Sequence, residues 1–306
     1  MISQKQMNEW VPKAVEHFQS VMPPINCPYP QYKIVTDRTA DSIRASLLEQ
    51  TGSQAVIRSG TAAMETLHGP RGDAIIIYQK RFNSQLFRGG GEDMFRHFYW
   101  HELGHFYSLN KADPSLLRFA DQKPHPDEYE ALLGYAFWTE FIAEVIACKV
   151  EPDPVIDWKN FYWYTPRNTL MGCLNGAFNA DNLGWYDLAF YFAKILADKM
   201  TVQFIEKARN GSFKIRRVVR VREETVTFQE AGIDPAALDS ISDQFLPAIK
   251  VLQEELNALL NRKNYWEITL DDLSEIGDTL FSMERMMTMD DLQVRLGERL
   301  RDRLGL

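Results

Sequence analysis

FRHFYWHELGHFYSLN, residues 95–110, is the stretch on which the reading of this chain turns. It holds no proline, its one glycine is Gly104, and it follows a glycine turn, RGGGED (88–93), so it reads as a helix. On a helix, positions i and i+4 share a face. His101 and His105 therefore aim at one point, and Glu102 lies one step round. Two imidazoles on one face can hold a metal ion, with the carboxylate beside it placed to take a proton from metal-bound water. A random chain with 6 His would contain HExxH only about 0.01 times, so chance is a poor account of it.

A hydrolytic zinc site needs a third protein ligand, and the next strong helix supplies candidates. In PDEYEALLGYAFWTEFIAEVIACK (126–149), Glu140 and Glu144 are the only charged residues between Leu132 and Cys148, and they are four apart. A carboxylate in so apolar a helix costs several kcal/mol unless it is paired or ligated. A carboxylate-bridged di-iron bundle is a weaker reading: Glu102 to His105 is one Glu-x-x-His unit and Glu65 to His68 formally another, but Gly69 and Pro70 end any helix there.

Outward from these helices, residues 4–20 read as a helix and MPPINCPYP (22–30) as a connector. YKIVT (32–36), QAVIRS (54–59) and GDAIIIYQKRF (72–82) read as strands, and 37–50 as a helix with Ile43, Leu47 and Leu48 on one face. After the HExxH helix the chain looks helical almost to its end. FKIRRVVRVREETVTF (213–228) is strand or loop, and 234–306 reads as amphipathic helices. The expected fold class is α+β. A small α/β half, 1–120, packs a short sheet on the HExxH helix, and a larger, mainly helical half, 121–306, carries the third metal ligand.

With 306 residues, 45% of them apolar, there is material for a large core. The net charge of −8 offers no long-range attraction to nucleic acid or anionic lipid. Lys214, Arg216, Arg217, Arg220 and Arg222 adjoin Glu223 and Glu224 and read as a solvated, salt-bridged face. Gly89, Gly90 and Gly91 lack the Lys-Ser/Thr of a phosphate loop and read as a turn. The N-terminus shows no signal-peptide pattern, and no uncharged apolar run reaches the roughly 18 residues of a membrane span. Cys27, Cys148 and Cys173 fit no cysteine zinc site. The expectation is a cytoplasmic protein with reduced thiols, no nucleic-acid partner and no membrane.

HELGH followed by a Glu-bearing helix resembles the gluzincin metallopeptidases, and within them the ImmA/IrrE-type branch most. Glu140-Phe-Ile-Ala143-Glu144-Val-Ile-Ala147 corresponds to that branch's second motif, with Glu144 where the branch has Asn and Trp100 where it has a small residue. The resemblance spans about residues 70–150. It implies Zn2+ held by His101, His105 and Glu140, with Glu144 orienting a ligand histidine and Glu102 as general base. It also implies hydrolysis of a peptide or protein substrate, which would pair with the 72–82 strand as with the edge strand of such peptidases; a plain core strand is the other reading of that segment. An oxyanion donor would come from the second half, with Tyr162, Tyr164, Tyr186 and His125 as candidates, although ordinary aromatic packing is the better reading of each. The competing expectation is a zinc-stabilised protein-binding or regulatory module with little turnover.

Overall fold

Ile75, Ile76 and Ile77 are fully buried because their strand has a neighbour on each side and a helix over each face. The computed structural model describes residues 1–53, 62–85, 91–112, 129–151 and 251–289, with 116 and 193 singly. Its sheet has the order β1-β3-β2. β1 (Gln31–Val35) runs parallel to β3 (Ala74–Tyr78), and β2 (Met64–Leu67) runs antiparallel to it. The fold is mixed α+β with helices dominant, as expected.

Alternation along β3 assigns the two faces. Ala74, Ile76 and Tyr78 join Leu67, Val35 and Leu47 in a cluster beneath α2 (Ala40–Thr51), which ends at Gly52 in the left-handed conformation (φ 71°). On this face the Arg44 guanidinium grips Glu65, Nε at 3.1 Å from both oxygens and Nη2 at 2.7 Å, while the Tyr78 hydroxyl donates to the same carboxylate at 2.7 Å. Ile75 and Ile77 take the opposite face with their antiparallel partners Thr66 and Met64. That face receives α4 (Gly91–Leu109), the HExxH helix.

α1 (Gln4–Val21) begins with a capping box, in which Ser3 Oγ accepts from the Gln6 amide and Gln6 Oε1 from the Ser3 amide. Its buried stripe of Met7, Val11, Ala14 and Phe18 packs on α4, where the Trp100 indole donates to the Ala14 carbonyl at 3.0 Å. Trp100, unusual for the resembled motif, is thus the bolt between these helices.

Two expectations about the strands need correction. The strand expected over 72–82 stops at Tyr78, and Gln79–Gln85 forms a short helix, α3. QKRFNSQ has no β-branched residue to sustain a strand. Gln79 and Asn83 both donate to the Ile2 carbonyl instead, each at 3.0 Å. β3 is moreover flanked by β1 and β2; among the described residues the edge beside α4 is β2, which has no period-2 apolar signal of its own. Glu65 lies on that strand facing Arg44, which removes the second helical Glu-x-x-His unit of a di-iron bundle. The expected strand at 54–59, the glycines 89 and 90, and 213–228 lie outside the described residues.

α5 (Tyr129–Val150) is long and apolar enough to cross a membrane by length and composition, and 83% of that window is buried inside the protein. Among the described residues, 1–112 and 139–151 belong to one compact unit, and 129–138 and 251–289 to another. Glu140 and Glu144 therefore share a unit with α4. In the second unit, residues 251–262 form α6 and Leu270–Met289 form α7. α7 is capped by Asp272, which accepts from the Thr269 amide at 2.8 Å and from Lys263 at 2.6 Å. Gly134 and Gly277 let α5 and α7 touch backbone to backbone at Leu273 and Glu130.

Removing one partner of the Arg44–Glu65 pair leaves a half-buried charge. Arg44→Ala is expected to lower unfolding free energy by about 2–3 kcal/mol in urea denaturation.

Candidate metal centre

Gly104, the fourth residue of HELGH, sits where α4 crosses α5. A Cβ there would lie 2.6 Å from the Ala143 carbonyl oxygen and 2.8 Å from its Cα. No side chain fits between the two backbones. The contact brings the i, i+4 histidines of one helix against the i, i+4 glutamates of the other.

The result is a convergent donor set. His101 Nε2 and His105 Nε2 are 3.0 Å apart. Glu140 Oε2 is 3.3 Å from the first and Glu140 Oε1 3.5 Å from the second. Glu140 turns a different oxygen to each imidazole, and one ligand atom from each of the three residues lies within 4.8 Å of the other two. The set fits a divalent ion, and among the described residues it is the one such His/Cys/Asp/Glu group. Burial would push the Glu140 carboxyl up. The His105 and His101 imidazoles more than offset this and hold it well below the ordinary carboxylate range.

Glu144, fully buried, lies one turn beyond Glu140. Its Oε2 accepts from His101 Nδ1 at 3.0 Å. A proton on Nδ1 leaves the Nε2 lone pair for a metal, so the tautomer suits ligation. Glu102 is buried as well, and the Thr66 hydroxyl on β2 donates to its Oε2 at 2.6 Å, with the Glu102 backbone carbonyl a longer alternative at 3.0 Å. The shorter bond anchors the carboxylate that follows His101.

All five residues singled out in the sequence thus gather in one unit: His101, His105 and Glu140 as a cluster, Glu144 against His101, and Glu102 at β2. The oxyanion candidates Tyr162, Tyr164, Tyr186 and His125 lie outside the described residues. The sequence reading missed three others. Thr66 carries no local signal, because only the sheet brings it to α4. His97 had one, since it stands four residues before His101 on the same face; so did Glu151, seven after Glu144. His97 Nε2 is 2.9 Å from Glu144 Oε1, and its Nδ1 is 2.8 Å from Glu151 Oε2. Burial disfavours charge on His97, but Glu144 and Glu151 overcome it and push the imidazole up to about 9.

No protein-family model, curated protein or solved structure matches the chain.

Two expectations follow from this geometry. Gly104→Ala must part the helices or shift a backbone, so it should loosen any divalent ion held by the cluster, read by chelator competition, and cost about 1–3 kcal/mol of stability. In the metal-free protein, His97 binds its proton more tightly when folded (about 9) than when unfolded (roughly 6.5). Its stabilisation is therefore complete below the unfolded value and is lost as pH rises through the folded one. Urea unfolding from pH 6 to 10 should show that decline, and His97→Gln should flatten it.

Proposed function

We propose that this protein is a zinc-dependent metallopeptidase of gluzincin type. The observation that carries the reading is a convergent His101–His105–Glu140 cluster with a buried, anchored Glu102 adjoining its first histidine. The donor set of two imidazoles and a carboxylate suits zinc, and three protein ligands leave a coordination position for water or substrate. Bound zinc would acidify that water and polarise a peptide carbonyl.

The chain's own residues do the rest. His101 and His105 present Nε2, with the His101 tautomer held by Glu144. Glu102 accepts the proton of the attacking water and returns it to the leaving amine, and the Thr66 hydroxyl keeps its carboxylate in place for both transfers. β2, the edge strand on α4, takes over the role assigned in the sequence to 72–82. An extended substrate adding to it would run alongside the helix that bears the cluster. Among the described residues β2 pairs with β3 alone.

Elemental analysis of untagged protein purified without chelator should find about one zinc per chain, largely lost in Glu140→Ala. Glu102→Gln should keep the zinc and lower cleavage of a mixed peptide library, read by mass spectrometry, by at least about 100-fold. Zinc that raises stability without any cleavage by the wild-type chain would favour a zinc-stabilised binding module; no zinc at all would end the metal-centre reading.

A further inference from the structure

We propose that His97 and Glu151 are positioning residues of the metal centre, clamping Glu144 so that it in turn holds His101 with Nε2 aimed at His105 and Glu140. The proposal rests on the metal-centre reading above and extends it beyond the residues that reading uses.

Four buried groups alternate along the α4–α5 contact: Glu151, His97, Glu144 and His101, joined at 2.8, 2.9 and 3.0 Å. A carboxylate only accepts, so an imidazole nitrogen that bonds one directly carries a proton. For His101 the bond to Glu144 places that proton on Nδ1, leaving Nε2, 3.3 Å from Glu140 Oε2, to share a metal with it. For His97, with a carboxylate at each nitrogen, the same rule requires the imidazolium. That cation sits between two buried carboxylates which would otherwise face each other's charge in a poorly solvated interior. Glu151 lies just past the end of α5, its amide bonded to the Ala147 carbonyl at 2.9 Å. A negative charge is disfavoured at a helix C-terminus, which gives the His97 cation a second reason to be there.

A buried carboxylate held at one oxygen can rotate. Held at both, by His101 at Oε2 and His97 at Oε1, it presents a fixed acceptor to His101. The helical spacing sets this up: 97, 101 and 105 stand four apart on α4, and 140, 144 and 151 share one side of α5 and its end. Glu144 is the group that hydrogen-bonds both His97 and His101.

The test is a double-mutant cycle read by Zn2+ affinity, using competition with a chromophoric chelator, for the wild type, His97→Gln, Glu144→Gln and the double variant. His97→Gln is expected to weaken Zn2+ binding about 10- to 100-fold in the wild-type background. In the Glu144→Gln background the same change should cost less than about 2-fold, since the group it acts on is gone. The visible spectrum of the Co2+-loaded protein should shift with His97→Gln and not further in the double variant. Equal losses in both backgrounds, or no loss in the folded single variant, would overturn the positioning role while leaving the metal centre intact. A wild-type chain that takes up no Zn2+ would overturn the metal centre itself. Should His97→Gln fail to fold, Glu151→Gln carries the same cycle, and unchanged affinity there overturns the proposal.

Discussion

The contact of Gly104 with Ala143 is the constraint on which the rest of the centre depends. Helix axes packed through ordinary side chains lie about 8–10 Å apart. Here a glycine with no room for a Cβ lets α4 settle on the backbone of α5. Histidine and glutamate side chains on the two facing stripes then meet nitrogen to oxygen within 2.9–3.5 Å along the contact. With larger residues at the crossing, the same side chains would sit in one interface without converging.

The tight crossing creates an electrostatic problem and the histidines answer it. Glu140, Glu144 and Glu151 are all buried on one side of α5 or at its end, in one of the most apolar stretches of the chain. Each is met by an imidazole: Glu140 by His101 and His105, Glu144 by His101 and His97, Glu151 by His97. The imidazoles thus occupy distinct roles at adjacent turns of one helix. Two present Nε2 to a common point, and the third lies between Glu144 and Glu151. Trp100 and Thr66 hold the helix that bears them, the first to α1 and the second to the sheet.

Much of this was legible because helical periodicity is local. HELGH lies within a single helix, so its two histidines share a face whatever the remainder of the chain does. Glu140 and Glu144 stood out as the sole charges of an apolar segment, and His97 lay in view at the same four-residue step. The strands were less legible. Three consecutive isoleucines mark β3, but METL at 64–67 shows no alternation, and its place beside α4 comes from pairing with β3. Which strand is central and which is the edge is a property of the sheet, and of the two readings of 72–82, edge strand or plain core strand, the pairing agrees with the second.

Helical periodicity made α1, α2, α4 and α5 legible, with the α+β character and the side chains that each of these helices offers on one face, because a period of 3.6 residues is local to a segment. The tertiary structure decided that the stripes of α4 and α5 face each other at Gly104, that Thr66 reaches Glu102, and that Glu151 closes a chain through His97 to Glu144. Those are contacts across 36 to 54 residues, and what selects them is backbone clearance and the cost of leaving buried carboxylates without donors.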